Sequence, residues 1–306
     1  MVGRLSKNSQ GMHCDIDLSP YRFTGKNPCV IARQPNEVGK FYKDKDDYRD
    51  LLEEFQEEIN DLQRMMYAHN RYSLLLVFQA MDAAGKDGTI RHIMSGVNAH
   101  GVEVHAFKRP SERELEHDFL WRTTLRLPHR GNIGIFNRSY YEEVLVVKVH
   151  PEILTQGQRI PPEMTKDLEQ VWEQRYRSIR DLERHLYQNG THVVKFFLNL
   201  SKDEQRKRFL DRIEEADKNW KFSEGDVKER QYWDQYQRAY EQAINATADP
   251  HAPWYVIPAD DKKNMRLMVS QAVLEHLRGL DMQSPEVSDT RKAELAYYRE
   301  LLENED

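Results

Sequence analysis

The chain has 306 residues, 39% hydrophobic and 31% charged, with a formal net charge of −6. It is long enough for one large α/β domain with appendages, and its charge argues against a general nucleic-acid binder, so any polyanion must be met by a local basic patch. Two cysteines, Cys14 and Cys29, no signal peptide and no apolar run near ~18 residues predict a cytosolic, soluble, reduced protein with no membrane contact, a Cys14–Cys29 disulfide being the less favoured alternative.

Residues 1–44 are polar and punctuated by Gly and Pro, and read as an N-terminal arm. From Asp46 to Asn70, apolar residues at Tyr48, Leu51, Leu52, Phe55, Ile59, Leu62, Met65 and Met66 follow a helical period. The apolar run from Leu74 to Ala80 then reads as a strand buried on both faces. It breaks into Met81-Asp82-Ala83-Ala84-Gly85-Lys86-Asp87-Gly88-Thr89, after which a helical pattern resumes at Ile90, Ile93, Met94 and Val97. A strand, a small-residue turn and a helix N-terminus make a phosphate cradle, to which Lys86 adds a point charge. The pattern departs twice from G-x-x-x-x-G-K-[ST]: Ala80 replaces the first glycine and Asp87 the Mg²⁺-binding hydroxyl, so Asp82 is the substitute carboxylate for a metal. A ligand-free turn is the bland alternative.

Further strands are predicted at Val102–Phe107, Ile133–Phe136, Val193–Leu200 and Trp254–Ile257. Between them, Ser111 with Glu114 and Ser201 with Glu204 have the spacing of capping boxes. The first opens a helix carrying His117, Asp118, Trp121 and Arg122; the second opens one carrying Arg206, Lys207, Arg208 and Arg212. Met164–Gln188 and a segment from about Asp261 to Leu280 read as helices, and the tail beyond Pro285 as a charged surface helix. Strands alternating with helices predict a parallel sheet with helices on both faces, with ligands at the strands' carboxyl ends. Those ends supply Asp82 and Lys86, then Lys108 and Arg109, then Asn137 and Arg138, and the fourth leads into Arg208 and Arg212. Phosphoryl transfer needs this kit of cradle, metal and cations. A solvated charged face is the alternative for Arg208 and Arg212, and a packed helix face for His117 and Trp121. Segment 150–190, with Arg159, Lys166, Arg175, Arg177 and Arg180, is the lid candidate, against an ordinary surface helix pair.

Ala80-Met-Asp82-Ala-Ala-Gly85-Lys86-Asp87-Gly88-Thr89, Phe107-Lys108-x-Pro110, His117-Asp118-x-Leu120-Trp121-Arg122 and Phe136-Asn137-Arg138-Ser139-x-Tyr141-Glu142 strongly resemble the family 2 polyphosphate kinases. So do Arg208-Phe209, Asn219-Trp220-Lys221-Phe222-Ser223, Glu229-Arg230 and Pro253-Trp254 to Asp261. The resemblance spans about residues 45–280. It implies a thymidylate-kinase-like P-loop fold in three layers, a parallel sheet between helices with a helical lid, in a kinase domain over 45–283 followed by a tail over 284–306. It also implies reversible, Mg²⁺-dependent phosphoryl transfer between inorganic polyphosphate and adenine or guanine nucleotides, AMP and ADP becoming ADP and ATP, by homo-oligomers (dimers or tetramers). Carried over, Asp82 and Lys86 take the metal and phosphate roles of the cradle, Arg138 a phosphate role, and Arg208 a role on the phosphoryl chain. Ala83, Ala84, Gly85, Asp87, Gly88, Thr89, Lys108, Arg122 and Asn137 complete the expected contacts.

Asn137 stands where many members have Asp, which leaves Asp82 more of the metal's charge to balance. Asn137 and Glu142 together resemble the subgroup that accepts both nucleoside mono- and diphosphates. A carboxylate at Glu142 would hold a second Mg²⁺ or its water shell beside the acceptor; pairing with a neighbouring Arg or Lys is the alternative. An ATP-dependent nucleotide kinase of the same fold, and a non-catalytic nucleotide or polyanion sensor, are the competing functions.

Overall fold

Five apolar runs come to lie side by side as a parallel sheet. The computed structural model describes residues 6–8, 11–13, 16–217, 219–284 and 288–305. Strands β1 (Ser6–Asn8) and β2 (Gly11–His13) form an antiparallel hairpin. The remaining strands are β3 (Arg22–Phe23), β4 (Ser73–Ala80), β5 (Val102–Ala106), β6 (Ile133–Asn137), β7 (Thr191–Asn199) and β8 (Trp254–Pro258). They form one sheet in the order β3-β8-β7-β4-β6-β5, parallel throughout except for β3, which runs antiparallel to β8.

The longer helices are α1 (Lys45–His69), α2 (Lys86–Ile93), α6 (Leu168–Gln188), α7 (Lys202–Glu214), α9 (Trp233–Thr247), α10 (Lys262–Arg278) and α11 (Asp289–Glu303). Short helical pieces are α3 (Glu112–Leu115), α4 (Trp121–Thr124), α5 (Val146–Val149) and α8 (Glu224–Glu229). All eight residues of β4 are buried. Successive side chains leave a strand on opposite faces. Leu74, Leu76 and Phe78 therefore join the cluster that includes α1, α2 and α10, while Leu75 and Val77 join the one that includes α6 and α9. This is an α/β fold with a mixed sheet flanked by helices.

The sheet departs from the all-parallel expectation at its edge, because β3 comes from the N-terminal segment. Ile16, Leu18, Cys29, Ile31 and Tyr42 are buried, and Asn245 exchanges hydrogen bonds with the Cys29 backbone at 2.7 and 2.8 Å. Single residues of the segment expected as an arm thus anchor it on the fold, while most of residues 16–44 stay exposed or half-buried. Cys29 carries a free, buried thiol whose pKa burial pushes up to about 12; Cys14, the other half of the conceivable disulfide, lies outside the described residues. Among the described residues, no helix is long and apolar enough to cross a membrane.

The Ser111 box forms with both reciprocal bonds, but α3 ends at Leu115, short of His117 to Arg122. At Ser201 half the box forms: its hydroxyl accepts from the Glu204 N–H at 3.1 Å, while the Glu204 carboxylate turns to Arg208.

Candidate active site

The first connection between parallel strands leaves β4 for β5, and the later strands β7 and β8 lie on the other side, so β4 sits where the strand order reverses. A crevice opens beyond the carboxyl ends at such a point. Here the chain turns sharply: Ala83 has φ 63° and Gly85, capping α2, has φ 102°, a region where a side chain is strained. The Lys86 ammonium folds back and donates to the Ala80 carbonyl at 2.9 Å. Burial draws its pKa below the ordinary lysine value, and the Arg138 charge acts the same way against the pull of Asp82, Glu142 and Asp87.

The end of β6 completes the floor. Arg138, also left-handed at φ 63°, donates its backbone N–H to the Phe78 carbonyl at 3.0 Å. Its guanidinium reaches Asp82 Oδ1 at 3.0 Å and lies 3.7 Å from Glu142 Oε2. Ser139 caps the short turn Tyr140–Val144; exchanging the Gln79 amide oxygen and nitrogen lets the nitrogen donate to Glu142 Oε1 at 2.9 Å while the oxygen accepts from Ser139. Burial raises the Glu142 pKa, partly offset by Arg138 and Lys86. Burial acts first on Arg138 too, downwards, but Glu142 and Asp82 outweigh it and leave the guanidinium above its usual pKa. The Asn137 amide donates to the Asp87 carboxylate.

Above this floor lies a cavity of about 630 Å³ lined by the loop from Asp82 to Gly88, by Phe107 to Arg109, by Asn137 and Arg138, by Arg208, Asp211, Arg212, Trp220 and Asp226, and by Lys262, Met265 and Arg266. Eight of its side chains are cationic and four acidic, a local reversal of the chain's net negative charge. A second cavity of about 260 Å³ shares Asp82, Arg138 and Asp226 with the first. Its further lining includes Met81, Glu142, Val146, Glu229, Arg230, Tyr236 and Tyr240, an acidic and aromatic surround. A wider opening of about 700 Å³, between Ile16–Lys26 and Glu275, contains none of these groups.

Of the expected contacts, Asp82, Ala83, Ala84, Gly85, Lys86, Asp87, Gly88, Lys108, Asn137, Arg138 and Arg208 come together in the large cavity. Thr89 does not: it is fully buried and its hydroxyl donates to the Gly85 carbonyl at 3.0 Å. Arg122 lines a separate cleft with Glu114, Glu143 and Arg175, donates to the Lys108 carbonyl at 2.7 Å and lies over the Phe107 ring. Arg208 borders the cavity with all five donor positions engaged. They go to the carbonyls of Ala83, Ala84, Ala259 and Asp260 and to Glu204, which ties the loop to the sheet edge. His117 and Trp121 stack on each other.

Segment 150–190 contributes nothing to the large cavity's lining. Its helix α6 buries Val171, Trp172, Tyr176, Ile179 and Leu186, and Arg175 is buried against Glu143 at 2.9 Å. The lining draws instead on α7 and the segment after it, through Arg212, Trp220 and Asp226. Asp226, Arg230, Tyr236, Tyr240 and Arg266 have no chemical role assigned from the sequence: Arg230 enters there only within the Glu229-Arg230 match, and the others lie among interleaved charges or the aromatic residues between Tyr232 and Tyr240. Burial, then the Asp82 charge, raises the Asp226 pKa. Among the described residues no group of three or more side chains forms a ready metal cluster.

A lysine cradle and converging guanidinium groups and carboxylates at the carboxyl edge of a parallel sheet define a phosphoryl-transfer site. The profile of the family described as Polyphosphate kinase 2 (PPK2) matches residues 42–285. An ADP-polyphosphate phosphotransferase of Rhodopseudomonas palustris is 55% identical over 272 residues, 89% of this chain and 93% of that protein. An AMP/ADP-polyphosphate phosphotransferase of Meiothermus ruber is 44% identical over 252 residues, 82% and 89% of the two chains. The crystal structure of Polyphosphate Kinase 2 from Arthrobacter aurescens TC1 superposes with a TM-score of 0.82 at 36% identity, covering 92% of this chain and 96% of that one. The chain belongs to the polyphosphate kinase 2 family. It is an enzyme of phosphoryl transfer between inorganic polyphosphate and adenine nucleotides.

Proposed function

We propose that polyphosphate occupies the large cationic cavity, that the nucleotide enters the smaller acidic and aromatic one, and that the phosphoryl group passes between them beside Asp82 and Arg138. The observation that carries this is the pair of cavities with opposite linings sharing those two residues. A chain charged on every unit suits many cations, whereas a nucleotide offers an apolar base and a charged end, which suits Tyr236 and Tyr240 beside Arg230 and Arg138. The fold in this reading is a thymidylate-kinase-like P-loop fold, with the segment after α7 as its lid.

Lys86 and the first turn of α2 hold transferring phosphate oxygens, and Arg138 shifts from its carboxylate partners towards developing charge. Arg208 acts through the loop, fixing the carbonyls of Ala83 and Ala84 so that the N–H groups of α2 face the cavity. Mg²⁺ fits the donor set: Asp82 and Glu142 are hard oxygen donors flanking one guanidinium, and this ion is held by one or two carboxylates together with phosphate oxygens and water. When bound it neutralises charge on the transferring group and its neighbours. Burial discourages charge on Glu142, which an arriving cation would offset.

We further propose that both AMP and ADP serve as acceptors, with Glu142 supporting the shorter one. A homo-oligomer, dimeric or tetrameric, completes the proposal, supported by α11, which buries no residue although Leu295, Tyr298 and Leu302 share one face. Phosphorus NMR of AMP, or of ADP, with Mg²⁺ and long-chain polyphosphate but no ATP tests the acceptor reading. Growth of ADP and then ATP signals from AMP is expected; an enzyme that uses ADP and leaves AMP untouched would refute dual acceptance.

A further inference from the structure

Arg266 lines the large cavity and has no part in the shared junction. It projects from α10 four residues after Lys262, which lines the same cavity, so both sit on one helix face. Its position is fixed by rigid parts. The Asp261 carboxylate caps α10, accepting from the N–H groups of Lys263 and Asn264 at 2.7 and 3.2 Å. Met265 packs on the start of α2, receiving the Thr89 hydroxyl at 3.9 Å. Arg266 is thereby held against the first turn of α2: its Nη2 lies 3.7 Å from where a Cβ on Gly88 would sit.

The guanidinium is under-used. Nη1 donates to the Tyr48 hydroxyl at a long 3.3 Å, and Nε is shielded from solvent with no hydrogen-bond partner among the described residues. A buried donor on a charged group is costly to leave unmade and calls for an acceptor, best an anionic one. Beside it, the first-turn N–H groups of α2 have no intrahelical acceptors and attract the same kind of ligand.

We propose that Arg266, seconded by Lys262, forms an extension subsite that grips phosphates of the polyphosphate chain beyond the reacting one and so favours long chains. The proposal rests on placing polyphosphate in the cationic cavity. A nucleotide concentrates its charge at one end, so a cation outside the junction gains little from it. A polyphosphate carries charge on every unit, and each unit that reaches Arg266 adds a contact.

The test compares kcat/KM for long-chain polyphosphate and for inorganic triphosphate, at saturating ADP and Mg²⁺ and over a range of salt. Arg266→Met is expected to lower the long-to-short ratio about tenfold, one charge-assisted contact. It should also flatten the dependence of log KM on log salt by about one, as loss of one phosphate contact does in nucleic-acid binding. Arg266→Lys should recover part of the ratio, and Lys262→Gln should lower it less. An unchanged ratio in Arg266→Met, or a raised KM for ADP in its place, would overturn the proposal. Should Arg266→Met not fold, wild-type ratios in both Arg266→Lys and Lys262→Gln would overturn it equally. A wild-type protein indifferent to ionic strength with both polyphosphates would instead sink the cationic-cavity reading beneath it.

Discussion

Two charged clusters adjoin the same turn of chain, residues 138–144, and they are built from the same kinds of group. The inner one joins Lys195 of β7 to Glu183 of α6 at 2.5 Å, with neither side chain more than 2% exposed. The Tyr140 and Tyr141 hydroxyls donate to the other Glu183 oxygen at 3.0 and 2.8 Å, and Lys195 also donates to the Thr247 carbonyl. The outer one joins Asp82, Lys86, Arg138 and Glu142. Burial lowers the pKa of both lysines and raises that of both Glu183 and Glu142. The difference lies in what remains open. The inner groups have partners and line none of the cavities described above, whereas Asp82 and Arg138 border two of them. Buried charge alone therefore does not mark a site; buried charge with spare valence and adjoining space does.

The comparison breaks most visibly at Asp82. Asp82→Asn is expected to lower turnover about 10²–10³-fold, ~3–4 kcal/mol of transition-state stabilisation, with an unchanged unfolding midpoint. Retention of more than about a third of wild-type turnover at saturating Mg²⁺ would remove Asp82 from the metal role. The inner cluster should respond the other way. Glu183→Gln leaves Lys195 buried without its counter-charge and is expected to cost about 3–5 kcal/mol of stability in denaturant titrations. Turnover of the folded fraction should stay within a few-fold of wild type; a catalytic loss as large as that at Asp82 would erase the distinction.

Smaller effects sharpen the outer cluster. Glu142→Asn is expected to reduce AMP phosphorylation about tenfold more than ADP phosphorylation, since a monophosphate lacks the extra phosphate that helps a diphosphate reach the donor. Equal losses would make Glu142 a partner of Arg138 and no more. Smaller still is the effect of pH. Lys86 must keep its proton to attract phosphate, and its lowered pKa means the charge is complete below that value and lost as pH rises through it. The profile of kcat/KM, which reports the free enzyme, should therefore fall on the alkaline side before the ordinary lysine range. A profile flat up to the ordinary lysine value would contradict this.

Much of the frame was legible because its signals are local. The strands at Val102, Ile133, Val193 and Trp254 stand within two residues of their expected starts, and α1 runs one residue off its expected span at each end. The cradle, Arg138 and Asn137 were legible for the same reason: each lies at or directly after a strand's last residue. What escaped depends on contacts distant in sequence. Nothing in Arg22-Phe23 announces pairing with β8, more than two hundred residues on. Arg208 read as a free cation because four of its five acceptors are backbone carbonyls, which every residue has. The arginines of 150–190 suggested a lid; within that segment the apolar stripe of α6 is buried and takes Arg175 inside with it. Arg266 lay in a segment read only as a helix.

The account turns on the junction serving transfer and not retention, so the most direct measurement is calorimetric titration of Asp82→Asn with polyphosphate and, separately, with ADP. Both ligands are expected to bind, polyphosphate at least as tightly as to wild type because a negative charge has left its cavity, while turnover is lost. Loss of binding for both ligands would contradict the account, because Asp82 would then be shaping the cavities themselves.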